Sequence, residues 1–417
     1  MPRAWRPILD RDLAEEARQR AGSVLAQLES NWQASFSRGE WGLPLLRVYH
    51  GFAEGRPQQA ALAAESAADA AAEVLALCTN PWLYSRGWAG TAWLIAHLNR
   101  ITRAEPFDHA EIEEALAAFL CRRPWRDQYD LVSGYVGIAV YLLESQRPLS
   151  RTAVECIDLI LEHIWALREE VDEGTTWHTQ PALLPDWQRR RAPYGYYNLG
   201  VAHGIPGILW TLARCNRLGL GTSRSSTMLE GGVNWLLGQR SPDGLFPSWF
   251  YPGSETRPPG FSWCYGGLGL CTVLVSIALD TSSADLLKTA THIGSLEAER
   301  STNPADAGLC HGKGGVAHLF NRLYQHTGAE VFLAAARKWF LRALESVPNT
   351  GGGIGGYMSW TSEAQEPAEF HWAVDPSFLT GASGTALALL AAACAQEPEW
   401  DAVLLMPRLL QHEGGLQ

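Results

Sequence analysis

Two apolar patterns alternate along this chain. In the first, exemplified by residues 10–29 (DRDLAEEARQRAGSVLAQLE) and 150–170 (SRTAVECIDLILEHIWALREE), apolar positions recur every three or four residues opposite a charged face. That spacing predicts helices with one buried side. In the second, each stretch opens on Gly-x-x-Gly and stays apolar nearly all round, which predicts helices buried on every side. Copies start at Gly87 (GWAGTAWLIAHL), Gly134 (GYVGIAVYLL), Gly204 (GIPGILWTLA), Gly266 (GGLGLCTVLVSIAL), Gly312 (GKGGVAHLF) and Gly381 (GASGTALALLAAA), with a degraded copy at Gly42 (GLPLLRVYHGF). Spacings of 45–47 residues alternate with 62–70, so insertions interrupt a basic unit. Capping boxes at Asp108-x-x-Glu111 and Thr327-x-x-Glu330 predict two further helix starts.

An amphipathic helix, a glycine turn and a buried helix, repeated seven times, predict an all-α fold. The architecture is an α/α toroid, a double barrel of seven inner and seven outer helices, with every inner helix starting at one rim. Residues 1–417 read as a single domain. Within it, 171–200 is an inserted loop or small subdomain ahead of the fourth inner helix, because Pro, Trp and Arg break the helical pattern there.

Composition narrows the function. A 47% hydrophobic and 18% charged chain with 18 tryptophans can bury a large core. Net charge is −11, and the longest cationic run is Arg189–Arg191, so no nucleic-acid groove is expected. No apolar run reaches the roughly 20 residues that cross a bilayer, and the first residues lack the apolar core of a signal peptide. The expectation is a cytoplasmic protein, membrane-associated at most peripherally through partners. The eight dispersed cysteines form no disulfide framework. GGGIGG at 351–356 and GLCHGKGG at 308–315 lack the strand–turn–helix context or the residues of a nucleotide loop, and both are rejected.

Four of the turns carry reactive side chains. Asp130 precedes SGYVG, His203 directly precedes Gly204, Cys264 stands two residues before Gly266, and Cys310–His311 precede Gly312. The toroid makes the two cysteine turns neighbours. Two thiols and one imidazole form a zinc ligand set with an open fourth position, as catalytic rather than structural zinc requires. No CxxC is present to complete a structural site. The remaining cysteines, Cys271 among them, read as core. His371 and Asp375, in FHWAVDPSFLTGASG, are further rim candidates.

WCYGG (263–267), CHGKGG (310–315) and NLGVAHGIPGIL (198–209), set in this sevenfold repeat, closely resemble the lanthionine synthetase C-like cyclases over about residues 10–400. The resemblance is to the free-standing bacterial members, and it implies the same toroid holding one zinc ion. It also implies closure of (methyl)lanthionine rings, by Michael-type addition of substrate cysteine thiolates to dehydroalanine or dehydrobutyrine. Carried over residue by residue, it makes Cys264, Cys310 and His311 the zinc ligands and His203 and Asp130 the acid/base pair. Tyr265, Arg257, His371 and Asp375 are then candidates for substrate binding. The implied substrate is a dehydrated lanthipeptide precursor with its leader peptide, and a dehydratase and a transporter are implied partners. The Arg189–Arg191 run is a candidate for leader contact. The sequence departs from the family pattern at Gly260, where an arginine is common four residues before the first zinc cysteine, and at Leu268, where proline is common. Two rivals are weighed: a non-catalytic zinc scaffold that binds a peptide or glutathione, and zinc-dependent prenyl transfer to a thiol. The latter needs a rim cluster of Lys and Arg for diphosphate, which the sequence does not display.

Overall fold

Alanine spacing shapes the outer layer. In α1 (Arg11–Asn31) the buried positions are Ala14, Ala17, Ala21, Val24 and Leu28, and in α3 (Pro57–Leu77) they are Ala60, Ala64, Ala67, Ala71 and Val74. Small side chains along one stripe let each outer helix approach the inner layer closely. The other outer helices are α5 (Ala110–Leu120), α7 (Arg151–Leu167), α10 (Ser223–Gly238), α12 (Ala284–Ala298) and α14 (Glu330–Leu344). The seven inner helices are α2 (Gly42–Ala53), α4 (Trp88–Thr102), α6 (Tyr135–Ser145), α9 (Ile205–Arg217), α11 (Gly267–Asp280), α13 (Lys313–Thr327) and α15 (Ala382–Ala393). Every residue of α15, and Gly267–Ala278 of α11, is buried. The computed structural model describes residues 4–31, 41–84, 87–145, 148–250, 259–346, 352–362 and 369–409.

The inner helices close a ring. Neighbours α4–α6–α9–α11–α13–α15–α2 pack in succession, and the Tyr49 hydroxyl of α2 meets His97 Nε2 of α4 at 3.1 Å to complete it. The architecture is therefore the expected α/α toroid. α1 packs between α15 and α2, sealing the junction between the two ends of the repeat array. The glycine run near residue 354 clasps α1: the Gly355 N–H donates to Gln27 (2.8 Å), and Arg20 donates to the Gly355 carbonyl (3.2 Å).

The glycine turns have a steric cause. Each inner helix starts by folding back over its own preceding loop. A Cβ at Gly315 would strike the Leu309 carbonyl oxygen, and one at Gly384 would strike that of Phe378. The chain closes these turns only where no side chain intervenes.

Two boundaries differ from expectation. The insertion begins earlier, at a hairpin of β1 (Arg168–Val171) and β2 (Gly174–Trp177), because the Trp177 indole is drawn in to donate to the Ile164 carbonyl. It continues through the short helix α8 (Asp186–Arg191) to β3 (Tyr197–Asn198), which pairs with β4 (Trp249–Phe250). The predicted capping boxes do not form: α5 is capped at His109, and Thr327 ends α13, its hydroxyl accepting the Ala329 N–H. The observed box, Thr222 with Ser225, escapes the Glu/Gln rule because its third residue is serine. A second hairpin, β5 (Ser359–Ser362) with β6 (Phe370–Ala373), stands between α14 and α15. Among the described residues, no helix is long and apolar enough to cross a membrane.

Candidate metal centre and acid/base pair

The loops ahead of the inner helices are tied to one another around the rim. Ala202 N–H donates to the Cys264 carbonyl (3.5 Å), and the N–H groups of Trp263 and Cys264 both donate to the Cys310 carbonyl (3.1 and 3.3 Å). Cys310 N–H in turn donates to the Leu379 carbonyl (2.8 Å). This backbone chain brings together side chains far apart in sequence. Cys264, Cys310 and His311 offer ligand atoms that all lie within 4.8 Å of one another.

The donor set fits zinc. Zn–S bonds of about 2.3 Å in a tetrahedron put sulfurs about 3.8 Å apart, so the cluster needs little contraction. Both cysteines are partly buried, whereas the His311 side chain is 45% exposed, which leaves the cluster open to solvent on one side. Hydrogen bonds from Cys310 first, then His311 and Ser262, hold the Cys264 thiol well below the usual thiol range despite burial. Its hydrogen bond with Cys264, together with burial, pushes the Cys310 thiol well up. A divalent cation bound between them would displace the thiol protons.

His203 Nδ1–H donates to Asp130 Oδ2 at 2.6 Å. Asp130 is buried, and its Oδ1 accepts the Ser133 N–H (2.7 Å), so the carboxylate is held by its own turn. The His203 side chain is 41% exposed, and its Nε2 has no hydrogen-bond partner among the described residues. Burial is the largest single influence on this imidazole and lowers its pKa. The hydrogen bond and charge of Asp130, with the charge of Cys264, outweigh it and hold His203 above the ordinary histidine value. Tyr265 faces the His203 ring at 6.4 Å, and burial raises its phenol pKa. Its hydroxyl accepts from Asn198 Nδ2 (3.3 Å).

The remaining expected residues are placed differently. His371 is exposed on β6, opposite Thr361. The Asp375 carboxylate is taken up by its own loop, accepting from Ser377 N–H (2.8 Å), the Thr380 hydroxyl (2.7 Å) and the Ser359 hydroxyl (3.1 Å). Those bonds make it an organiser of the turn before α15 rather than a free rim group. Arg257 lies outside the described residues. The Gly260 carbonyl, at the position of the family's arginine, accepts from Arg300 Nη1 (2.6 Å), which also pairs with Glu297 of α12 (2.9 Å).

Sequence reading missed a repeated device. Asn198, Asp306 and Asp375 each stand six residues before a turn glycine (204 − 198, 312 − 306, 381 − 375). Each accepts the backbone N–H two residues on: Gly200 (2.9 Å), Gly308 (3.1 Å) and Ser377 (2.8 Å). Asn80 does the same with Trp82 (3.1 Å) seven residues before Gly87. These Asx turns set the loops that carry the reactive groups. Asp306 also brings its Oδ2 within 3.8 Å of His311 Nε2. Ser262, whose hydroxyl lies 3.5 Å from Cys264 Sγ, was missed too, having no signal beyond its place in the loop.

A seven-over-seven helical toroid, with a Cys–Cys–His cluster and a His–Asp pair on one rim, defines a narrow class of protein. Residues 32–405 match the family model described as lanthionine synthetase C-like protein, and the chain belongs to that family. The solved structure of nisin cyclase is similar with a TM-score of 0.71, over 93% of this chain and 96% of that one, at 17% identity; the likeness is one of fold. A curated relative, glutathione S-transferase LANCL1 of Danio rerio, is 24% identical over 227 residues, 52% of this chain. That match spans 54%, about half, of the relative's length.

Proposed function

We propose that the chain is a zinc-dependent lanthipeptide cyclase. Its substrate would be a precursor peptide, with leader, in which serines and threonines have been dehydrated and cysteines remain free. The observation that carries this reading is the presence of the Cys264–Cys310–His311 cluster and the His203–Asp130 pair on one rim. Zinc held by Cys264, Cys310 and His311 would keep a substrate thiol deprotonated at neutral pH.

The chain's own groups supply the proton handling. With Nδ1–H committed to Asp130, His203 Nε2 accepts the proton of the substrate thiol. The sulfur lone pair forms the C–S bond at the β-carbon, and the alkene electrons move to the α-carbon and its carbonyl as an enolate. His203, now imidazolium and stabilised by Asp130, returns the proton to the α-carbon. Atoms balance without a co-reactant.

The glutathione S-transferase name of the Danio rerio relative favours a second reading, in which glutathione supplies the thiol. One assay separates the two. A peptide carrying one dehydroalanine and one cysteine is incubated with zinc-loaded protein, with and without glutathione, and free thiols are then counted by alkylation and mass spectrometry. Ring closure removes the peptide thiol at unchanged mass, whereas glutathione transfer adds the mass of glutathione. Zinc content is expected at about one per wild-type chain, lost in Cys264→Ala and Cys310→Ala. Zinc retained in both variants would sink the shared site.

A further inference from the structure

A cavity of about 570 Å³ lies where the loop after α12 (residues 300–303) meets the start of α13 and the C-terminal half of α14. Arg300, Lys313, Lys338 and Arg342 line it against a single carboxylate, Glu345. Such a concentration of cations is unusual on a chain of net charge −11. Arg300 is already committed to Glu297 and to the Gly260 and Pro259 carbonyls, and Lys313 Nζ donates to the Ala305 carbonyl. Lys338 and Arg342 differ: neither has a carboxylate within ion-pairing distance among the described residues. They stand one helical turn apart on α14, so they share a face. Both lie over the buried Trp339 ring, the Arg342 guanidinium carbon at 4.7 Å and Lys338 Nζ at 5.8 Å, and the indole pre-orders them.

We propose that this cavity holds an acidic segment of the peptide substrate, an inference that rests on the peptide-thiol reading above. Arg300 and Lys313 bracket the loop 301–312, which carries Cys310 and His311. A peptide whose thiol sits at the cluster and whose chain continues outward across that loop meets Lys313 and then α14. The cations come from three separate elements, which suits several carboxylates spaced along a chain. A compact inorganic anion is better met by converging backbone N–H groups. The acidic remainder of the surface repels carboxylates, so the cavity also steers the segment to this place.

The test uses a short, fluorescently labelled, glutamate-rich peptide without cysteine, titrated by anisotropy against the full chain. Binding is expected to weaken with salt and to fall by roughly tenfold or more in K338E/R342E, with zinc content unchanged. K338R/R342K, which keeps the charges, is expected to bind as the wild type does. The peptide with glutamine in place of glutamate is expected not to bind. Equal binding by K338E/R342E or by the glutamine peptide overturns the proposal, as does displacement of the acidic peptide by equimolar inorganic phosphate. The thiol assay on the wild type keeps the two readings apart. Acidic-peptide binding retained while thiol chemistry is absent from the wild type itself overturns the cyclase reading alone, whereas thiol chemistry without acidic-peptide binding overturns the cavity alone.

Discussion

Asp130 and His203 are 73 residues apart in sequence, and their 2.6 Å hydrogen bond fixes which imidazole nitrogen is left to act. Because Asp130 helps hold His203 above the ordinary histidine value, the imidazolium persists to higher pH than it would in a free side chain. Asp130→Asn removes the charge and keeps the shape. Titration of the His203 ring by NMR is expected to show its midpoint fall toward or below the ordinary value, and thiol addition to slow by about 10²–10⁴-fold with zinc content intact. An unmoved midpoint would deny Asp130 its role. At this scale the sequence displayed the cysteines and histidines, because the repeated turn marks their positions. Asp306 and Ser262 stayed hidden, since only distance through space relates them to His311 and Cys264.

The turn is the unit that repeats, and its glycines are steric rather than ornamental. Gly315→Ala drives a methyl group into the Leu309 carbonyl, one residue before Cys310, so it should displace the loop that presents the cluster. We expect a loss of about 1–3 kcal/mol in urea denaturation, together with weaker zinc retention against a chelator. Gly238→Ala, at the exposed end of α10 with open space around it, should be neutral or stabilise by about 0.5 kcal/mol. Equal effects at the two sites would show that the turn tolerates a side chain. Periodicity revealed both helix layers because burial on one face or on all faces writes itself into apolar spacing. Only the first three residues of the hairpin, 168–170, read as helix, because they continue a helical charge pattern until tertiary packing of Trp177 turns the chain.

Across the whole molecule, the segment after α15 plugs the ring. Trp400 and Val403–Leu405 are buried, the Tyr84 hydroxyl donates to the Val403 carbonyl (2.8 Å), and the Trp263 indole donates to that of Leu404 (3.0 Å). Trp263 adjoins Cys264, so the plug supports the loop of the candidate metal centre from within. Its anchor is Arg322 of α13, fully buried and bonded to Asp401 (2.7 and 2.8 Å) and Glu397 (2.7 Å). Arg322→Met strips two buried carboxylates of their shared cation, leaving Asp401 only His318, and should destabilise by about 3–5 kcal/mol in urea denaturation. A loss under about 1 kcal/mol would show that water reaches the pair. Burial opposes the Asp401 charge, yet Arg322 and His318 hold its pKa below the ordinary value. This carboxylate therefore stabilises the fold above its unfolded-state pKa, and the contribution fades as the pH falls through the folded value.

The sequence by itself determined the repeat: seven amphipathic and seven fully apolar helices, and glycine turns with reactive residues beside four of them. It could do so because helical burial is a local periodic signal and the turn sterics are local too. Tertiary structure decided which side chains meet. Closing the ring brought residue 130 to 203 and 264 to 310, committed Asp375 to its own loop, and gathered cations from the loop after α12, from α13 and from α14 around one cavity. Those encounters depend on the ring's curvature and on loop hydrogen bonds between distant segments, and no short stretch of sequence encodes either.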